Sequence, residues 1–418
     1  MHLDNELELP SSIVAASEER KFSRYLVWTS AVFVGGTLLA TLAVLIVDPY
    51  HLFRFVDVVG FNRLKPRPDM YREQIKLVQA EALRPNLLLL GNSRVEVGLD
   101  PDSPTLRERS YSAYNLGLAG TSLATANNML DEMRAAVPPP ASSIVGLEFL
   151  DFLVDPAKLQ ALPNKVETAF FPLEWRLETV FSLKAVMDTV HTLRLQKTSD
   201  PETMTTRGHT PLFEYNKAAR YEGYYNIFRQ RGQENAKATV RRPHSLYAAQ
   251  GQPSASMVKL RRMLSTMAQD GTEVHLLIYP YHAELMAMFG ATGLDAIMDE
   301  WKSVLVSEID TVRKQFPDAR IMLWDFSGYG PVQCQAIPRR GDTRTVTQFY
   351  WEAGHFKTSV GELIFERILG KRNNFGFALT ASNLEENRQR IAAEREQCHT
   401  LNPQIFAEAR SMIDAARK

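Results

Sequence analysis

From Tyr25 to Val47 the chain runs 23 residues without a charged side chain, bounded by Arg24 and Asp48. At the rise of an α-helix such a run covers about 34 Å, more than the ~30 Å hydrocarbon core of a bilayer. A helix buried in a soluble core usually carries a polar stripe, whereas this one offers only small Thr, Ser and Gly between its apolar and aromatic residues. A cleaved signal peptide fits less well, because the run exceeds a normal leader core and no small-x-small site closes it before Asp48. The segment therefore predicts one uncleaved transmembrane helix over residues 25–47. Arg20, Lys21 and Arg24 precede it, while Arg54, Arg63, Lys65 and Arg67 follow. The basic residues nearest the run lie before it, which favours a cytoplasmic tail, residues 1–24, and a body outside the cytoplasm.

The rest of the chain has the makings of a packed domain, with 45% hydrophobic residues over 418 positions. Lys+Arg and Asp+Glu both number 48, a balance that argues against a general nucleic-acid surface. The two cysteines, Cys334 and Cys398, lack the paired spacing of a structural zinc site; they are either one disulfide in an oxidising compartment or two unrelated thiols. No glycine-rich phosphate loop of common spacing occurs, so no cofactor is expected.

Residues 48–84 mix Pro, Arg and aromatic residues without a period and read as a juxtamembrane connector. Short apolar runs then recur as predicted buried strands: Asn86–Leu90, Tyr111–Leu116, Ser143–Leu147, Glu273–Ile278 and Arg320–Trp324. Helical spacing separates them over Ser122–Ala136, Met257–Gln269 and Ile297–Phe316. A mainly helical insertion is expected at about 152–250, and the domain should close with a helix from Thr358 to about Leu369. A C-terminal helical segment, 371–418, follows, in which Ser382 and Glu385 have capping-box spacing. The implied class is α/β: a doubly wound, five-stranded parallel sheet, residues 85–370, preceded by one transmembrane helix. Ligands of such sheets bind at the strand C-termini.

Ser93 follows the first strand behind Gly91 and Asn92, where a tight turn would present its hydroxyl and leave its N–H facing a substrate oxygen. A hydroxyl needs a base, and His355 stands late in the chain with Glu352 three residues earlier to orient the imidazole. Taken singly, Ser93 is a helix cap and His355 a helix-entry histidine. His282, in Pro280-Tyr281-His282, is either a substrate contact or a structural turn residue; Glu284 reads as a solvated helix residue, His275 as strand packing, and Cys398-His399 as a surface pair.

Three blocks in order make a more specific pattern. Gly91-Asn92-Ser93-Arg94 resembles the nucleophile block of the GDSL/SGNH hydrolases, Asn115-Leu-Gly-Leu-Ala-Gly120 their second block, and Glu352-x-x-His355 their terminal Asp-x-x-His. The likeness spans roughly residues 86–370 apart from the insertion. It is nearest to membrane-linked members that modify bacterial cell-surface polysaccharides. The resemblance implies a flavodoxin-like, SGNH-type sheet, with Ser93, His355 and Glu352 as catalytic residues and Gly120 as an oxyanion donor. Where the family has an oxyanion-hole Asn, this chain has Glu148. Either Glu148 is neutral, or it binds a cationic or hydroxyl group, or Arg94 and Asn92 supply the missing donor.

The resemblance further implies an acyl esterase or O-acetyltransferase acting on a carbohydrate or polysaccharide. The body would then face the periplasm from a single pass through the inner, cytoplasmic membrane. Expected partners are the lipid bilayer, the carbohydrate, and a membrane acyltransferase or export complex. The competing expectation, from a different class, is a non-catalytic scaffold or carbohydrate-binding subunit of such a complex.

Overall fold

Four consecutive leucines, 87–90, are apolar on both sides of a strand, and such a run is stable only where both faces are covered. In the computed structural model, which describes residues 11–159, 175, 179–370 and 373–418, that strand lies inside a sheet and each leucine is 0–1% exposed. Burying one such side chain contributes about 1.5–3 kcal/mol relative to leaving it in water. The first ten residues of the expected tail, and residues 160–174 and 176–178 of the expected insertion, lie outside the described set.

The chain opens with α1 (Ser11–Val47) and α2 (Arg72–Leu83), followed by β1 (Leu87–Leu90), α3 (Ser93–Gly98), α4 (Pro104–Glu108), β2 (Ala113–Asn115), α5 (Leu123–Ala136) and β3 (Ser142–Leu147). Then come α6 (Leu183–Leu195), α7 (Glu214–Val240), α8 (Ala255–Gln269), β4 (Glu273–Ile278), α9 (Ala283–Thr292), α10 (Leu294–Gln315) and β5 (Ile321–Asp325). A ribbon of β6 (Tyr350–Glu352) and β7 (His355–Phe356) leads into α11 (Thr358–Ile368), β8 (Phe377–Leu379), α12 (Leu384–Leu401) and α13 (Pro403–Ala416).

Two compact units result: Met1–Arg63 with Phe170–Lys197, and Leu64–Ala169 with Thr198–Lys418. The second holds the sheet, ordered β2-β1-β3-β4-β5-β8. Pairing is parallel through β5, with β3 and β4 in register over six residues from Ser142↔Glu273 to Leu147↔Ile278. The class is mixed α/β, as expected, but the sheet has six strands and not five. The sixth, β8, runs antiparallel to β5 at the edge. Only three residues long and half-covered, it carries too short an alternation to stand out within a stretch expected to be helical.

The five expected strands differ from those observed by at most two residues at either end. The expected capping box does not form: Asn383 is the N-cap of α12, and its side chain turns back to Thr380 N and Ala378 O instead. Cys398 is not a surface residue either. It is 1% exposed and bonded to Cys334, which pins α12 beside the loop after β5.

In the first unit, α1 contains a 28-residue stretch, Arg20–Val47, whose most apolar part has a mean hydropathy of 2.3, long and apolar enough to cross a membrane. Most of its large apolar side chains are exposed. Its C-terminal end is tied off by Asp48, whose carboxylate accepts from Leu52, Phe53 and Arg54 N–H, and by Asn62, which donates to Val47 and Val56 carbonyls.

Candidate active site

Gly91 ends β1 at φ +152°, where a Cβ would lie 2.6 Å from Val95 Cγ2 and 2.8 Å from the Tyr279 hydroxyl. This close approach lets the chain turn at once into α3, whose N-cap Asn92 accepts from Arg94 N–H through its side chain. Ser93 is the first helical residue and is half-buried. The second contributor is the β6–β7 ribbon. Tyr350 Oη donates to Pro280 O at 2.9 Å, and His282 N–H donates to Ala353 O at 3.3 Å, so the ribbon is fastened to the chain leaving β4.

These two pieces, 262 positions apart in sequence, meet at 2.8 Å between Ser93 Oγ and His355 Nε2. On the other side of the ring, His355 Nδ1 meets Glu352 Oε1 in a short contact, while Glu352 Oε2 accepts from Gly354 N–H at 2.7 Å. With Nδ1–H donating to the carboxylate, Nε2 is free to accept the serine proton. Burial works against the Glu352 charge, but His355, the Gly354 N–H and Arg94 outweigh it and hold the carboxyl below its usual range. The arrangement can move a proton from a hydroxyl to a ring whose positive charge is compensated.

Arg94 also reaches Glu148, the residue after β3, in a short ion pair. Glu148 also accepts from the Tyr281 hydroxyl at 2.9 Å and lies 3.4 Å from Asn92 Nδ2. The Arg94 guanidinium packs over the Tyr279 and Tyr281 rings. Beyond Glu148, burial and that neighbouring carboxylate raise Asp151 to about 6.

Ser93, Arg94, Glu352 and His355 line one cavity of about 690 Å³, within the ordinary range of about 300–1,000 Å³ for organic-ligand sites. Gly120 sits beside the cavity residue Ala119, at φ +78° and exposed. Asn92 and Glu148 stand behind the wall. His282 is not on it: the ring is fully buried, accepts from Glu284 N–H as the N-cap of α9 and donates to Gln335 O, and burial pushes it down to about 4. Glu284, read from sequence as solvated, is also buried and paired with Arg229 at 2.6 Å.

Several wall residues escape sequence reading. Glu96, one turn after Ser93, is 1% exposed. It accepts from Ala119 N–H at 2.8 Å and Thr210 Oγ1 at 3.1 Å, and pairs with Arg72 at 2.7 Å and Lys76 at 3.3 Å. Burial opposes this charge, yet Lys76 and Arg72 prevail and bring Glu96 down to about 2. Lys76, itself fully buried, donates to Gly117 O and to Gly208 O, and burial lowers it to about 8. Both cations come from the stretch expected as a connector. The signal was present in α2, where an apolar period surrounds Lys76. The insertion closes the cavity with Arg231–Glu234 at 2.7 Å and with Glu214, which pairs with Arg67 at 2.9 Å.

No model of a known protein family matches the chain, and no curated protein matches it.

Proposed function

We propose that this chain is a membrane-anchored serine acyl-ester enzyme of the SGNH type, an esterase or O-acetyltransferase acting on a carbohydrate or cell-surface polysaccharide. The observation that carries the reading is the 2.8 Å contact of Ser93 with His355, backed by Glu352, on the wall of a cavity. The strand order 2-1-3-4-5 and the position of Ser93 after β1 support a flavodoxin-like, SGNH-type sheet.

In this mechanism His355 takes the Ser93 proton as Oγ attacks the ester carbonyl. The backbone N–H groups of Ser93 and Gly120 receive the developing oxyanion, as the resemblance implies. His355 then returns the proton to the departing sugar hydroxyl, leaving an acyl group on Ser93. Water, or a second sugar hydroxyl, resolves it by the reverse sequence, giving hydrolysis or transfer. Glu352 stays ionised throughout and compensates the imidazolium. The mixed ion pairs along the cavity, Arg67–Glu214 and Arg231–Glu234, offer alternating donors and acceptors suited to a polyhydroxylated ligand. The Cys334–Cys398 bond supports a body in an oxidising compartment, outside the cytoplasm. With α1 as its anchor, the chain would be positioned to serve a membrane acyltransferase or export complex.

One observation favours the scaffold reading: Glu148 stands where the resemblance calls for a neutral oxyanion donor. Its pairing with Arg94 compensates that charge. A fluorophosphonate, which bonds only to activated serines, separates the two. Incubated with the detergent-solubilised full chain, it should add one phosphonyl group at Ser93, located by peptide mass; an unmodified chain would contradict the enzyme reading.

A further inference from the structure

The first unit contains a helix built inside out. Leu183, Met187 and Val190 of α6 recur at helical spacing on one face and are 77%, 60% and 42% exposed, with Phe181 exposed just before them. The opposite face, which is covered, carries Ala185, Asp188, Thr189 and Thr192, with Leu195 as its one large apolar residue at the C-terminal end. A surface helix of a water-soluble domain has the reverse order, apolar inward and polar outward.

That covered face packs on α1, whose Val44 and Val47 are buried. The polar groups there are satisfied within the unit. Asp188 accepts from the Tyr50 hydroxyl at 2.6 Å and pairs with Lys184 at 3.0 Å, while Thr189 and Thr192 donate to the carbonyls one turn back. Small residues and satisfied polar groups between helices, with large apolar residues facing out, are the order found where lipid is the solvent. The turn after α1 adds exposed Phe55, Val58 and Val59, held by the Asp48 and Asn62 hydrogen bonds. Arg194 and Lys197 close the C-terminal end of α6, where long basic side chains can reach headgroup phosphates.

We propose that α6 is a second membrane contact: an interfacial helix lying against the C-terminal end of α1, with Leu183, Met187 and Val190 in the lipid of the leaflet nearest the body. The occupant is lipid because the helix that α6 packs on within the same unit, α1, itself exposes a long run of large apolar side chains. The inference rests on α1 spanning the bilayer, and it turns a single tether into a two-helix footing.

The test uses the full chain in lipid nanodiscs. Its only two cysteines are joined to each other, so one introduced thiol can carry an environment-sensitive fluorophore. Labels go at Met187→Cys, at Leu38→Cys near the middle of the apolar run of α1, and at Glu386→Cys on the exposed side of α12. The Met187 label should be quenched by nitroxide lipids and be about fivefold or more less sensitive to aqueous iodide than the Glu386 label. If iodide reaches the Met187 label as readily as the Glu386 label while the Leu38 label stays in lipid, the span stands and the α6 proposal is wrong. If the Leu38 label is itself open to iodide, the span reading fails and takes the proposal with it. A Met187 label shielded from both quenchers would mean protein covers this face, which also overturns the lipid assignment.

Discussion

Two buried glutamates lie three residues from the reacting pair, Glu96 after Ser93 and Glu352 before His355, and both carboxyls are held below their usual range. They are 1% and 2% exposed. Their neighbours make them different. Glu96 faces Arg72 and Lys76 in a fixed network that also grips Ala119 N–H. Glu352 faces an imidazole whose other nitrogen touches Ser93, so its charge is coupled to a proton that can move. A lowered carboxyl pKa therefore does not mark a catalytic group by itself; the titratable partner and its route to a nucleophile do.

The comparison breaks most directly at Glu352. Glu352→Gln keeps the shape but allows the wrong imidazole tautomer and removes the compensating charge, so ester turnover should fall by about 10²–10⁴ in kcat. Steady-state kinetics on an aryl acetate checks this, with KM changing far less than kcat. A loss below about tenfold would place Glu352 with Glu96 as a structural carboxylate.

Glu96→Gln should show the converse, with the smaller effect on turnover and a loss of stability of about 1–3 kcal/mol at pH 7. Because the folded-state pKa of about 2 lies below the ordinary glutamate value of 4.5, the stabilisation is full above about pH 4.5 and drains away as the pH falls towards 2. Thermal unfolding of both proteins should therefore show a gap at pH 7 that narrows by pH 3.5. A gap that stays constant or widens in acid would mean that the Glu96 charge is not what stabilises the fold.

The contrast also marks what could be read in advance. Four leucines in a row, the Gly-Asn-Ser turn behind them and the parallel runs read at Glu273–Ile278 and Ser143–Leu147 declare themselves locally, because burial on both faces leaves mostly apolar residues. The Glu352-x-x-His355 spacing was legible for a different local reason, since a tight ribbon joins the pair. Lys76 and Glu96 were not, because a buried charge is tolerable only with partners supplied by distant segments. His282 and Glu284 follow that rule, their surroundings being set by Gln335 and Arg229. The Cys334–Cys398 bond joins residues 64 apart with no spacing motif. For α6 the period was readable, but the side that would be covered was not, since that depends on the medium around the first unit.

The central claim is that Ser93 is an acylated nucleophile driven by His355. Acetyl-ester turnover by the full-length chain, compared with Ser93→Ala under the same conditions, measures it most directly. The account predicts a loss of about 10³-fold or more in kcat, with thermal stability within about 1 kcal/mol of the unaltered chain because the hydroxyl is half-exposed. Equal turnover by the two proteins, or none by either in the folded state, would contradict it.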